Sequence, residues 1–227
     1  MKPQLLAVMI LASSAVQQAC ATITFSDVAG AAVTSVDRSA NFNSVNSGDN
    51  LLTYEEGQLS ITTVGTANLS IDPFPVNRDA PFYCAGINTS WVTIKTTDGR
   101  AMVGVEFLYA NVWSLISFVP DYGHPDATIE WRAYLGAALV SSGSTSPNPT
   151  QMGTFVGFKD LAGFDTLLVR ATLGGDKEPI SQGIALDDLN VQLAPIPEPS
   201  TWLAGIALTL PFGVQVLRHV RKHKQVS

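Results

Sequence analysis

The clearest indication of the fold class comes from residues 90–109, which read SWVTIKTTDGRAMVGVEFLY. Two runs rich in β-branched and aromatic residues flank the dipeptide Asp98-Gly99. Asp-Gly between two such runs is a strong signal for a tight turn joining paired strands. Period-two alternation places four apolar residues of the second run on one strand face, namely Val103, Val105, Phe107 and Tyr109. The stretch therefore predicts a β-hairpin with one apolar face.

The pattern of short β-rich runs continues on both sides of this stretch. Further strands are predicted at 59–64, 128–135, 137–140, 154–158, 165–172 and 183–193. Clusters of Gly, Pro, Asn and Asp separate them, and no long amphipathic helical pattern interrupts them. The Ser/Thr/Pro/Asn-rich segment 141–150 is predicted to be a surface loop. Together these features predict an all-β domain, a β-sandwich of the jelly-roll type, over residues 22–194.

The N-terminus has the three parts of a secretory signal peptide. Lys2 supplies a positive charge, residues 5–16 are almost entirely apolar, and Ala19-Cys20-Ala21 places small residues before Thr22. We expect cleavage of residues 1–21 by signal peptidase. A lipoprotein with an acylated Cys20 is the alternative, but Gln17 stands where an aliphatic residue is needed. After cleavage Cys84 is the one remaining cysteine, and its apolar neighbours favour a buried, inert thiol.

The C-terminus also divides into three parts. Residues 195–201 are Pro-rich and therefore stiff and extended. Residues 202–217 are mostly apolar and as a helix would span roughly 24 Å, somewhat less than a ~30 Å hydrocarbon core. Residues 218–227 form a basic tail that we expect to stay cytoplasmic. The predicted transmembrane helix is flanked by Trp202 on one side and by cations on the other, namely Arg218, Arg221 and Lys222.

This order of parts resembles the PEP-CTERM sorting signal of Gram-negative bacteria. The resemblance implies that Pro197, Glu198 and Pro199 are recognised by a membrane-embedded exosortase, which cuts near them. It also implies a transiently anchored protein that is exported across the inner membrane to the cell envelope or beyond, in bacteria that secrete exopolysaccharide or form biofilm. The alternative is an ordinary single-span anchor behind a Pro-rich stalk.

Charge is distributed unevenly along the chain. Residues 22–200 hold all 19 acidic residues and eight of the 13 basic ones, which gives this part a net charge of −11. An acidic domain repels phosphate backbones, so we expect no nucleic-acid partner. The charge is compatible with bound calcium or simply with solubility outside the cell.

Two stretches of the domain resemble the framing strands of galactose-binding-like and carbohydrate-binding-module jelly rolls, namely 54–62 (YEEGQLSIT) and 183–191 (GIALDDLNV). In those folds an acidic residue on the final strand often helps to hold a structural calcium ion, and the matching residue is Asp187. In the sequence Asp187 shares the phase of Ala185, Leu189 and Val191, and a carboxylate on an apolar face needs a partner. A hydrogen-bonded buried aspartate, or a β-bulge at Asp187-Asp188, would explain it equally well.

Catalytic signals are weak. His124 is the one histidine outside the tail, and neither it nor Cys84 has a flanking motif that would activate a Cys–His dyad. The sequence therefore predicts a non-enzymatic protein that binds polysaccharide or a surface partner, with a secreted glycan hydrolase as the alternative. Aromatic residues that could stack on sugars, or that could instead fill the core, are Trp91, Trp113, Tyr83 and Tyr122.

Overall fold

The computed structural model describes residues 23–42, 52–63, 83–85, 91–114, 121–122, 127–146, 154–173 and 181–196. These residues form strands and turns, and the strands are β1 (Thr24–Ser26), β2 (Arg38–Ala40), β3 (Thr53–Glu56), β4 (Leu59–Thr63), β5 (Tyr83–Ala85), β6 (Val92–Thr96), β7 (Met102–Ser114), β8 (Asp121–Tyr122), β9 (Ala127–Leu135), β10 (Ala138–Thr145), β11 (Thr154–Phe164), β12 (Thr166–Leu173) and β13 (Ser181–Leu193). The predicted all-β class is confirmed for this part of the chain.

The strands build two antiparallel sheets. A seven-stranded sheet has the order β1-β11-β7-β13-β2, with β8 also paired to β7 and β5 also paired to β13. A six-stranded sheet has the order β10-β9-β12-β6-β4-β3. One apolar core contains residues of both sheets, so the sheets pack face to face as a β-sandwich.

Aromatic contacts mark where the two sheets meet. Trp131 of β9 stacks on Phe25 of β1 at a centroid distance of 5.7 Å and lies 5.6 Å from Phe158 of β11. Gly143 is the partner of Trp131 on β10. Only glycine fits there, because a Cβ would stand 2.2 Å from the indole. Full burial of a large apolar side chain such as Phe158 stabilises the fold by roughly 1.5–3 kcal/mol.

The predicted hairpin at Asp98-Gly99 is wrong in its pairing. The turn itself forms, since the Gly99 N–H donates to the Thr96 carbonyl and Gly99 has φ 73°. However, β6 lies in the six-stranded sheet and β7 in the seven-stranded one. Two strands that each bury one apolar face can pair within one sheet or lie in opposite sheets across the core. Both arrangements give the same alternation in the sequence, so the alternation does not distinguish them. The chain crosses the sandwich here.

A hairpin that the sequence did not single out joins β3 to β4. Its turn residues Gly57 and Gln58 both have positive φ, 56° and 62°, as a type I′ turn requires. Arg38 fastens this turn to the crossing: it donates to the Gln58 carbonyl and forms an ion pair with Asp98. The two sheets are thus tied together at one end of the sandwich.

The last strand differs from its predicted phase. Ile184 and Leu186 point into the core before a β-bulge, and Leu189 and Val191 point into it afterwards. The bulge adds one residue between Asp187 and Asn190, and Asp188 takes φ 47°. Because one added residue reverses the alternation, Asp187 lies on the outer face with Ala185 and does not share the phase of Leu189. It is nevertheless buried, with 2% of its surface exposed.

The prediction of a surface loop over residues 141–150 is wrong for its first half. β10 continues through Thr145 as an edge strand, because its backbone pairs with β9 whatever its side chains are. Strand β11 likewise runs on to Phe164 beyond the predicted end. Within the residues described, no helix has the length and apolar character needed to span a membrane. The predicted signal peptide at 1–21, the sorting motif and the predicted helix at 202–217 lie outside those residues.

Candidate functional site

The outer faces of the two sheets differ in what covers them. On the seven-stranded sheet, Ala32 packs so closely that a Cβ on Gly104 or Gly157 would stand within 2.5 Å of it. Both carboxylate oxygens of Glu106 also accept the Gly30 N–H, at 2.9 Å. Several residues on this outer face are buried, among them Leu108 and Ala110. Outward residues of the six-stranded sheet are half-buried or exposed. The six-stranded sheet offers the more accessible surface.

Of the four predicted aromatic residues, Trp91 lies at this open surface. It immediately precedes β6, is half-buried and points away from the core. Strand pairing places Tyr83, Trp113 and Tyr122 on the seven-stranded sheet; their side chains lie outside the described part of the molecule. Trp91 thus lies beside a different sheet from the other three.

Two arginines lie against the indole of Trp91. The guanidinium carbon of Arg170 is 4.5 Å from the ring centroid, and that of Arg132 is 4.7 Å from it. Arg170 is on β12 and Arg132 on β9, two adjacent strands. Outward-facing Leu168 pairs with Arg132 on one side and with Thr93 on the other, so it lies between the arginine and β6. Cations over an aromatic ring are attracted by its quadrupole.

The two arginines are held differently. Glu130, the direct cross-strand partner of Arg170, accepts from its Nε at 2.8 Å and lies 2.6 Å from its Nη2. Thr172 Oγ1 also donates to Glu130, at 3.4 Å. By contrast, Arg132 is exposed and has no ion pair with any residue that the structure describes. One guanidinium is fixed, and the other can move.

These residues define the Trp91 face, which consists of Trp91, Lys95, Glu130, Arg132, Leu168 and Arg170. Lys95 is exposed on β6 and belongs to the register row that continues through Thr166 to Tyr134. The face therefore combines an aromatic ring, an aliphatic side chain, three cations and one carboxylate. The alternation of Glu130, Arg132 and Tyr134 is visible in the sequence, but their proximity to Trp91 and Arg170 depends on long-range pairing that the sequence does not show.

Several of the described carboxylates are engaged in structural contacts. The hydrogen bond from Arg38 lowers the pKa of Asp98 from 3.8 to about 2. Further carboxylates accept backbone N–H groups, namely Glu56 from Asn41 and Phe42, Asp37 from Leu193, and Asp165 from Gly136. An open pocket of about 410 Å³ beside Arg38 includes one carboxylate, Asp37, in its lining. A glycosidase needs two carboxylates facing each other across a cleft, and the described lining of this pocket supplies one.

The other candidate residues are placed as follows. Asp187 accepts the N–H of Asp188 at 2.8 Å, which gives this buried carboxylate a local partner at the bulge. Within the described ranges no three acidic, histidine or cysteine side chains gather as a metal site, so calcium at Asp187 stays a prediction. Cys84 pairs through its backbone with Ala185, and His124 lies outside the described residues.

No protein-family model matches the chain, and no curated protein is significantly similar to it. Among solved structures, weak similarity is found to carbohydrate-binding module domains of ZmpB from Clostridium perfringens. The structure of its CBM32-1, CBM32-2 and M60 catalytic domains gives a TM-score of 0.34 and 16% identity, over 66% of this chain and 17% of that one. The CBM32-1 and CBM32-2 domains in complex with GalNAc give a TM-score of 0.31 and 17% identity, over 66% and 40%. This chain thus covers less than half of either structure.

Proposed function

We propose that this protein is an exported envelope or extracellular-matrix protein whose β-sandwich binds polysaccharide through the Trp91 face. The observation that carries the proposal is the accessibility of Trp91 on the open sheet, beside Leu168 and the fixed pair of Arg170 and Glu130. A sugar ring has an apolar C–H face and a rim of hydroxyl groups. It is therefore bound best by apolar surface bordered by a few oriented polar groups.

A sugar that stacks on Trp91 has to displace a guanidinium from the ring. Arg170 is held by Glu130, whereas Arg132 is exposed and lacks such a partner among the described residues. An exposed cation–π contact is worth only about 0.5–1 kcal/mol. Moving Arg132 therefore costs little, and its N–H groups remain beside the bound ring as hydrogen-bond donors.

The proposal includes the jelly-roll form of the sandwich. Support comes from the connections that follow β10: the chain crosses from one sheet to the other between β10 and β11, between β11 and β12, and between β12 and β13. Repeated crossing of this kind is typical of jelly rolls, in which strands close in sequence face each other across the core.

The sorting half of the proposal rests on the C-terminal sequence. Pro197, Glu198 and Pro199 precede an apolar stretch and a basic tail, and we propose that an exosortase reads this triplet after signal peptidase has removed residues 1–21. The protein would then act in the cell envelope or outside the cell. Binding of exopolysaccharide there is consistent with a signal of this kind.

The experiment is a pull-down of the full chain, in detergent, on the host's own exopolysaccharide. Trp91→Leu should abolish retention, because it removes the aromatic surface. Phe155→Leu is the matched control: Phe155 is a half-buried aromatic residue on the seven-stranded sheet, and its loss should leave retention unchanged. Release of reducing sugar ends by the wild type would favour the hydrolase instead, and absence of retention with or without EDTA would refute the binding proposal.

Structural calcium at Asp187 is a separate proposal. Millimolar calcium should then raise the thermal unfolding midpoint of the wild type and not that of Asp187→Asn, since a ligand that binds only the folded state stabilises it. The amide variant keeps an oxygen for the Asp188 N–H, so the turn should survive. Equal responses of the two proteins would refute the calcium site.

A further inference from the structure

We infer that the ligand of the Trp91 face is an anionic polysaccharide, one that carries carboxylate or sulfate groups. The inference rests on the proposed function and adds the charge of the ligand to it. Residues 22–200 carry a net charge of −11 with only eight basic residues, yet three of those eight lie on this one face: Lys95, Arg132 and Arg170. A local excess of cations on an acidic domain is an electrostatic feature that attracts negative groups.

The cations of this face are only partly neutralised within it. Glu130 is its one carboxylate, and it is committed to Arg170 through both Nε and Nη2. Lys95 and Arg132 are exposed, and neither has an ion pair with a residue in the described ranges. Two positive side chains therefore remain for a ligand.

The geometry at Arg132 suits a planar anionic group. A guanidinium presents parallel N–H donors that match the two oxygens of a carboxylate or sulfate, and such charge-assisted pairs are stronger than neutral hydrogen bonds. Arg132 already lies 4.7 Å from the Trp91 centroid. A sugar ring stacked on Trp91 would place a substituent of that ring within reach of the guanidinium. Trp91 would thus bind the sugar ring, and Arg132 would bind the negative group that the ring carries.

Retention on defined polymers tests the inference with the full chain in detergent. The probes are polygalacturonate (carboxylate), dextran sulfate (sulfate), dextran (neutral) and oligo-dT as a nucleic acid, each at about 50 and 500 mM NaCl, where screening of exposed charges differs strongly. We expect binding to at least one acidic polysaccharide, weakened at high salt, and little binding to dextran or oligo-dT. The two acidic polymers distinguish carboxylate from sulfate.

Substitutions locate the effect. Arg132→Gln should weaken binding about tenfold or more, the value of a hydrogen bond to a charged group. Lys159→Gln makes the same charge change on β11 in the other sheet and should change binding less than twofold. Arg132→Lys keeps the charge without the planar donors and should fall between the wild type and Arg132→Gln. Equal thermal midpoints of these surface variants would confirm that each is folded.

The outcomes separate the two proposals. Binding to dextran as tight as to the acidic polymers, lost in Trp91→Leu but kept in Arg132→Gln, would overturn the anionic ligand and leave polysaccharide binding intact. Equal losses in Arg132→Gln and Lys159→Gln would also overturn it, because they would indicate a nonspecific charge effect. Absence of binding to all polysaccharides, the host's own included, or binding to oligo-dT alone, would overturn both proposals.

Discussion

Substituting Gly57 by alanine tests the closure of the sandwich, and Gly99 provides a matched control. Both glycines have positive φ, 56° and 73°. Alanine in that left-handed conformation costs roughly 1–2 kcal/mol at either site. At Gly57, however, the new Cβ would stand only 2.0 Å from the carbonyl oxygen of Ser39 on β2, whereas at Gly99 nothing lies within 4 Å. Relieving such a clash requires backbone shifts that cost about 1–3 kcal/mol more.

The assay is thermal unfolding of the two variants and the wild type. For a domain of this size each kcal/mol lowers the midpoint by about 2–4 °C, so Gly57→Ala should melt roughly 2–12 °C below Gly99→Ala. The difference reports the contact between the β3–β4 turn of one sheet and β2 of the other. Equal midpoints for the two variants would refute this packing.

Three further predictions concern the acid response, the core and the sorting signal. Because Arg38 lowers the pKa of Asp98 from 3.8 to about 2, the pair stabilises the folded state above pH 3.8, and this stabilisation is lost as the pH falls through 2. In urea unfolding measured as a function of pH, Asp98→Asn should flatten this part of the profile, and an unchanged profile would contradict the pairing. Trp131→Ala should lower the free energy of unfolding by about 3–5 kcal/mol. Leu161→Ala, at a side chain that is 81% exposed, should change it by no more than about 0.5 kcal/mol. Comparable losses for the two variants in urea titrations would contradict the burial of Trp131 in the core. Mass spectrometry of mature protein from the native host should find a C-terminus near Pro199, and an intact basic tail on released protein would contradict sorting.

The fold class was predictable because it depends on local signals. Alternating apolar residues and turn clusters are properties of each segment by itself, and all eight predicted strands, the two that flank Asp98-Gly99 and the six others, have a counterpart in the structure. Pairing is a different matter: the residues around Asp98-Gly99 specify a turn, but contacts such as that between Arg38 and Asp98 decide that the chain crosses to the other sheet. The phase of Asp187 was missed for a similar reason, since a single bulge residue reverses every side chain before it.

The candidate site was predictable only in its aromatic residue. Trp91 was singled out as a possible sugar contact, with core burial as the competing interpretation, and the structure places it on the open face. Arg132, Arg170 and Glu130 were not singled out, because they come from two strands separated by about 40 residues and meet only through the register of β9 with β12. Composition could not predict a pair of hydrolytic carboxylates, because tertiary contacts decide which groups surround each carboxylate.

The most direct test of the central claim, that the Trp91 face binds polysaccharide, is an NMR titration of the tryptophan indole N–H signals. The full chain would be titrated with oligosaccharides prepared from the host's exopolysaccharide, and signals would be assigned by substitution. Trp91 is at the proposed site and Trp131 is in the core beneath the same sheet, so Trp131 serves as an internal control. We expect a saturable shift of the Trp91 signal with little change at Trp131. Saturable binding that leaves the Trp91 signal unmoved would contradict it.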